Sequence, residues 1–406
     1  MEIINGGVTA ACGFEAAGIY AGIKKKRKDM ALVYSKTPAV AAGTFTTNVV
    51  KAAPVKWDIK LIQSQEALHA VILNSGVANA CTGVIGDENN EKMAKAVADA
   101  LGIEKNTVLT ASTGVIGKQL PMDLIEEGAK QLAKELSDSI KAGNLAAEAI
   151  MTTDTISKEC AVTITIGGKK VTIGGMSKGS GMIHPNMATM LGVVTTDISI
   201  SKELLQEAVS ADVKKSFNMI SVDRDTSTND SLLVLANGLA KNATIRTKNE
   251  DYELFCTALN YVTTTLAKLM AQDGEGANKL LEAKVIHTST YEQAVVLSKS
   301  IITSNLVKTA VFGNDANWGR IFCAMGYSGV EFNPDIVDLY IESTEGSLKL
   351  VENGMATNYS EEFATKILSA KEVTAVADMK SGDETATAWG CDLSYDYVKI
   401  NADYRS

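Results

Sequence analysis

Histidine is scarce in this chain, cysteines are never paired, and no long apolar run occurs. Each shortage removes a class of function. Only three histidines occur in 406 residues, His69, His184 and His287, so a Ser-His-Asp triad would have to use one of them. His69 lies in an apolar pattern and His287 ends a predicted strand; neither has a sequence partner that singles it out. His184 is followed by Pro185, which fixes the chain there. The six cysteines (Cys12, Cys81, Cys160, Cys256, Cys323, Cys391) lie far apart with no C-x-x-C pair. That spacing fits neither a zinc site nor a disulfide framework, so reduced, mostly buried thiols and no metal are expected. No apolar run approaches a membrane span. The opening "MEIINGGVTAACGFEAAG" has no basic stretch followed by an apolar one, so a cytoplasmic protein without a secretion signal is expected. Low-complexity tracts are absent too, which argues against extensive disorder.

A net charge of −9 disfavours nucleic acid, because phosphate binding relies on clustered Lys and Arg. Any acidic substrate must then be held by a local cation. The one basic run, "KKKRK" at Lys24 to Lys28, sits between "AGI" and "DMALVYS". It reads as the solvated corner of a hairpin, against a nucleic-acid or targeting role. The length predicts two lobes or one large two-layer core.

Residues 1–85 read as short strands, among them "MALVYS", "AVAAGTFTTN" and "HAVILNSG". Helices are predicted over "ENNEKMAKAVADALG", with Gly102 as its C-terminal cap, and over "PMDLIEEGAKQLAKEL". "ECAVTITIGGKKVTIGG" alternates, turns at Gly167-Gly168 and returns, which is a hairpin. Beyond it come a strand "MLGVVTTDI", a helix capped by Ser201 and a strand "SLLVLANG". A long helix "EDYELFCTALNYVTTTLAKLMA" carries Leu254, Ala258, Val262, Leu266 and Leu269 on one face. "LEAKVIHTST" reads as a strand and "YEQAVVLSKSIITS" as a helix. The last 36 residues read as strand-rich to the end. Mixed runs of strands and helices with hairpins predict α+β or layered α/β.

Several glycine motifs invite chemistry. Gly175-Met176-Ser177-Lys178-Gly179 matches G-x-S-x-G, but Gly181 and Pro185 would break the helix a nucleophile elbow needs. A flexible loop with Lys178 as a cation is the alternative. "GVIGK" at Gly114 to Lys118 is too short for a phosphate loop, and Gln119 stands where Ser or Thr should be. "DRDTSTND", Asp223 to Asp230, begins like a calcium loop yet lacks the central glycine and the closing glutamate. A hydrogen-bonded turn fits it better. Thr189 differs from Ser177: a threonine hydroxyl needs a base, and its own α-amine, freed by cutting the preceding bond, would serve. Such an amine titrates near ~7.7–8.0, close to working pH. A Thr that simply opens a strand is the structural alternative.

"KGSGMIHPNMATML" resembles the self-processing site of the glutamate N-acetyltransferase (ornithine acetyltransferase) family of arginine biosynthesis. "AAGTFTTN", "ILNSGVANACTG", "STGVIG", "MTTDT", "SVDRDTSTND", "DGEGA", "FGNDANWGRI" and "WGCDLSYDYVKINADYRS" are similar to that family's pattern in the same order, so the resemblance spans essentially the whole chain. It implies a precursor cut between Ala188 and Thr189, an α chain of residues 1–188 and a β chain of 189–406. Thr189 would then carry acetyl from N-acetylornithine to glutamate in a ping-pong cycle. Thr113 and Gly114 would form the oxyanion hole. Thr152, Lys178, Thr189, Glu275, Asn401 and Ser406 would bind substrate. The implied fold is α/β, sheets flanked by helices, self-processing like N-terminal-nucleophile hydrolases but with distinct connectivity. The implied assembly is an α2β2 heterotetramer without cofactor, acetyl-CoA being a further donor in bifunctional members. A self-cleaving aminopeptidase-like hydrolase, a serine hydrolase using Ser177 and an uncut amino-acid-binding protein are the rival readings.

Overall fold

In the computed structural model the described residues are 1–184 and 190–403; Ala188, Thr189 and Ser406 lie outside them. The chain forms two compact units. One comprises residues 1–179, 185–218 and 226–270; the other comprises 180–184, 219–225 and 271–406.

The first unit carries β1 (Glu2–Ile4), β2 (Phe14–Ile19), β3 (Met30–Phe45), β4 (Leu68–Val77), β5 (Val108–Val115), β6 (Lys158–Ile166), β7 (Lys169–Lys178), β8 (Leu191–Thr196) and β9 (Ser231–Ala236). Their order is β1-β6-β7-β8-β9-β3-β4-β5, with β2 also on β3. The "MALVYS" and "AVAAGTF" segments, expected as separate strands, form the one long strand β3. Its register shifts between Tyr34 and Ala39, where Pro38 has no N–H to give a ladder. The first half pairs with β2 and β4, the second with β9.

The apolar runs of β3 and β4 are near-continuous because both faces are covered. Ala31, Val33, Val71 and Leu73 join a core that includes Met176, Val193 and Leu233. Met30, Leu32, Ala70 and Ile72 face Met93, Val97, Ile125 and Leu132. These last four come from helices α2 (Gly83–Leu101) and α3 (Met122–Glu135).

Gly102 ends α2 in the left-handed conformation, φ 68°, and the β6–β7 hairpin turns at Gly167 and Gly168 with φ 54° and 75°. Both agree with the sequence reading. Helix α1 (Ala53–Ser64) was not foreseen; nor was α4 (Ile140–Ala149). Ser201 caps α5 (Lys202–Asp212), accepting from the Leu204 N–H. Along α6 (Glu250–Gln272) the buried face runs through Phe255, Ala258, Leu259, Val262 and Leu266. Leu254 and Leu269 flank it at half burial.

The second unit has a sheet of β10 (Leu280–Thr288), β11 (Asp338–Ser343), β12 (Gly346–Glu352), β13 (Met355–Ala356), β14 (Glu372–Asp378) and β15 (Glu384–Cys391). Their order is β13-β12-β11-β14-β10-β15, and within this sheet the described pairs are antiparallel except β10–β14, which is parallel. Helices α7 (Tyr291–Thr303), α8 (Asn305–Phe312), α9 (Trp318–Gly326) and α10 (Glu361–Leu368) belong to it. The chain then runs into α11 (Tyr395–Ala402), not the strand expected. The Ser394 hydroxyl accepts from the Asp396 N–H and starts the helix. Mixed sheets flanked by helices make the fold α/β. No single described helix is long and apolar enough to cross a membrane. Three cysteines are exposed and one half-buried, so only Cys160 and Cys391 match the expected burial.

Candidate active site

In the first unit the predicted residues gather on strand ends. Gly114 lies opposite Gly76 in the parallel β4–β5 pair. Its φ is +129°, and a Cβ there would run into the Gly76 backbone, so this crossing admits only glycine. Beside it, the Lys178 ammonium at the end of β7 donates to Thr113 Oγ1 at 3.3 Å. Lys178 is buried and stands in a strand, not the flexible loop expected from its glycines.

Asp154 links Lys178 to Thr152. Its carboxylate accepts from the Thr152 N–H at 2.9 Å, the Gly179 N–H at 2.8 Å and the fully buried Lys158 ammonium at 2.7 Å. Burial alone would raise its pKa, but the charges of Lys178 and Lys158 and these hydrogen bonds hold it at about 2. The carboxylate therefore stays ionised throughout the neutral range and fixes the backbone on either side of the two predicted binding residues.

The basic run is more than a solvated corner. It does close the β2–β3 hairpin, yet Lys24 donates to Met151 O at 2.9 Å and Arg27 reaches the carbonyls of Thr152 and Asp154 at 3.4 and 3.3 Å. Burial, assisted by Arg27 and Lys178 and opposed by Asp29, lowers the Lys24 pKa to about 8. The Asp29 carboxylate shapes the turn by accepting from Ala21, Gly22 and Lys24 N–H groups. Lys24, Arg27, Lys158 and Lys178 thus gather about two carboxylates, Asp154 and Asp29, a local excess of positive charge in an acidic protein. Sequence reasoning picked Lys178 but missed Asp154 and Lys24; for Asp154 the available signal was a Lys four residues on, the i, i+4 spacing of an ion pair.

Within the second unit, Glu275 is buried and its N–H bonds Ser180 O at 2.8 Å. Its side chain packs where a Cβ on Gly181 would stand. Asn401 on α11 donates to Glu275 Oε2 at 2.7 Å, so these two predicted residues do meet. The Asp392 carboxylate, accepting from Asn278 and Lys279 N–H groups at 2.7 and 3.0 Å, holds the loop that carries Glu275. Ser406, Ala188 and Thr189 fall outside the described residues.

The serine-elbow alternative loses its scaffold. Ser177 is buried within β7, paired to Lys158 and Gly192, with no hydrogen-bond partner for its hydroxyl among the described residues. The histidines have other company: His69 bonds Ser35 O, His184 bonds Ser221 Oγ and His287 bonds Asp378. Asp223 accepts from Met182, Ile183 and Asp225 N–H groups, the hydrogen-bonded turn expected. No cluster of His, Cys, Asp and Glu among the described residues could hold a metal ion.

The ArgJ family model matches residues 15–406. The arginine biosynthesis bifunctional protein ArgJ of Caldanaerobacter subterraneus subsp. tengcongensis is 50% identical over 406 residues, covering all of both chains. Its counterpart in Thermotoga neapolitana is 48% identical over 396 residues, 97% of this chain and 99% of that one. Among solved structures, ornithine acetyltransferase from Mycobacterium tuberculosis, complexed with ornithine, is 44% identical. It covers 46% of this chain and 98% of that one, with a TM-score of 0.44.

Proposed function

The chain belongs to the ArgJ family, and from that premise we propose that it moves acetyl from N2-acetyl-L-ornithine to L-glutamate through an ester on Thr189. It is an acyltransferase of arginine biosynthesis; the rest of the mechanism is our reading. The precursor cuts itself between Ala188 and Thr189, giving chains of residues 1–188 and 189–406. The freed α-amine of Thr189 takes the proton of its own hydroxyl. The hydroxyl oxygen attacks the acetyl carbon, the C–N bond to ornithine breaks, and the amine returns the proton to the departing nitrogen. Glutamate's amine then attacks the ester by the reverse path. Thr113 and Gly114 supply donors for the negative oxygen that forms in each half-reaction. Water must be kept from the ester, since hydrolysis would waste the acetyl group.

The observation that carries this reading is the contact of Lys178 with Thr113 beside Gly114. It supports a cation for a substrate carboxylate next to the oxyanion donors. Thr152 is held by the same carboxylate that faces Lys178. Glu275 and Asn401 offer an acceptor and a donor for a substrate ammonium and carboxylate, and Ser406 completes the assigned set. The two chains assemble as an α2β2 heterotetramer in the cytoplasm, without metal or resident cofactor. Acetyl-CoA serves as a second acetyl donor to glutamate.

The test is N-terminal sequencing of active protein together with two assays, N-acetylornithine plus glutamate and acetyl-CoA plus glutamate. A second chain beginning "TMLGVV" and activity in the first assay are expected. Thr189→Ala should remain one chain and lose activity, whereas Ser177→Ala should still be cut. An intact single chain with full activity would sink the reading. Silence in the second assay would remove acetyl-CoA alone.

A further inference from the structure

The basic run at the β2–β3 turn has no part in the steps above, yet its Lys24 lies across two elements of the assigned site. A Cβ placed on Gly76 would stand 3.0 Å from Lys24 Cγ, so the aliphatic stem covers the glycine that faces Gly114. The ammonium at its far end donates to Met151 O at 2.9 Å, next to the predicted binding residue Thr152. The turn itself is anchored. Ser75 N–H donates to Asp29 O at 2.8 Å, and the Ser75 hydroxyl donates to Ala149 O at 2.6 Å. Lys24 is thereby held, half-buried, between the Gly76–Gly114 crossing and the 151–154 segment.

An ammonium has three N–H donors, and among the described residues the Lys24 ammonium uses one. The carboxylates nearby are engaged elsewhere. Asp29 accepts from the backbone N–H groups of Ala21, Gly22 and Lys24. Asp154 accepts from the Thr152 and Gly179 N–H groups and from the Lys158 ammonium. The Arg27 guanidinium donates to the Thr152 and Asp154 carbonyls. Lys178, whose charge acts on Lys24, stands on the Thr113 side of the same crossing. Two ammoniums held this close repel each other, and an anion placed between them would relieve both.

We infer that Lys24 is a second cation of the substrate site, and that with Lys178 it holds the carboxylate common to N-acetylornithine and glutamate. A carboxylate offers about four acceptor positions on its two oxygens, so two ammoniums can share one. The inference deepens the proposed function and rests on its two substrates. It gives the site a pH dependence of definite sign. Burial, with Arg27 and Lys178 and against Asp29 and Asp154, lowers the Lys24 pKa to about 8. The cation is present below that value and is lost as pH rises through it.

The experiment compares two acetyl donors with glutamate as acceptor: N-acetylornithine, and N-acetylputrescine, which is the same molecule without its carboxylate. The ratio of their kcat/KM values is measured in wild type, Lys24→Met and Lys24→Arg, with the self-cut checked on gels and unfolding midpoints alongside. Lys24→Met keeps the stem over Gly76 and removes the charge, so the preference for N-acetylornithine should fall about tenfold or more, the scale of one hydrogen bond to a charged group. Lys24→Arg should keep the ratio within about threefold of wild type. In wild type the ratio should fall as pH rises through about 8, and in Lys24→Arg it should stay level, because a guanidinium keeps its proton there. Groups that serve both donors alike cancel in the ratio. An unchanged ratio in folded Lys24→Met, with both donors slowed equally, overturns the inference and makes Lys24 a prop for Met151. A ratio in Lys24→Arg as low as in Lys24→Met overturns it too, since the loss would then follow shape and not charge. Should Lys24→Met fail to fold, a wild-type ratio that stays level through pH 8 overturns it. A wild type that moves no acetyl from N-acetylornithine to glutamate overturns the proposed function itself.

Discussion

Among single residues, Asp154 decides the most. It accepts three hydrogen bonds and keeps a charge at almost no exposure, because Lys158 and Lys178 compensate for the burial. Removing one partner of a buried pair leaves the other charge stranded, so Asp154→Asn should cost about 3–5 kcal/mol. Urea unfolding of the purified protein measures this; a loss below about 1 kcal/mol would mean that water already solvates Lys158. The pH dependence has a definite sign. The folded pKa of about 2 lies below the ordinary aspartate value of 3.8, so the folded state binds fewer protons between the two. The contribution is complete above the unfolded pKa and is lost as pH falls through the folded one. Asp154→Asn should therefore flatten the stability curve between pH 4 and 2, which acid titration of the unfolding midpoint reads directly. Activity should fall as well, since the Thr152 and Gly179 backbones lose their shared anchor.

At the level of elements, local signals were legible and tertiary ones were not. Gly102 and Ser201 ended and began helices where expected, because a left-handed cap and a hydroxyl cap are properties of a few adjacent residues. The β6–β7 hairpin was equally plain. Long β3 was read in pieces, since only its pairing with β4 on one half and β9 on the other makes it one strand. Helix α11 lies in a stretch read as strand-rich, and only the one Ser394 cap marks its start. The site followed the same division: Lys178 and Thr113 came from motifs, but Asp154 matters only once β7 and the 151–154 segment meet. The turn offers a clean test. Gly167 has φ 54°, and a Cβ there would meet nothing within 4 Å, so Gly167→Ala changes backbone strain and little else. It should lower stability by about 1–2 kcal/mol, the cost of the left-handed region to an L-residue. Acetyl transfer by the folded variant should be unchanged. A neutral effect on the unfolding midpoint would show that the turn relaxes to another type.

For the whole molecule, the proposed cut poses a question of integrity, because the compact units do not follow it. The first unit draws residues from both sides of position 188. Strand β7 would belong to the earlier piece and β8 to the later one, yet they pair antiparallel from Ile173 opposite Thr196 to Lys178 opposite Leu191. Strand β9, also of the later piece, pairs with β3 of the earlier one from Val40 opposite Ala236 to Phe45 opposite Ser231. The β8–β9 pair is therefore inserted into a sheet whose neighbours on both sides come from the other piece. Behind it, Leu191, Val193, Leu233 and Leu235 share a core with Val33, Val71 and Leu109. Separating the pieces would open two ladders and that core at once, so association depends on backbone pairing and apolar burial, not on surface charge. A tag fused ahead of Met1 should retain the 189–406 piece through washes at about 1 M salt, where charges are screened within roughly 3 Å. Urea at the unfolding transition should release it in the same step that melts the sheet. If the later piece instead washes off in native buffer, the inserted strands are not what holds the two pieces together.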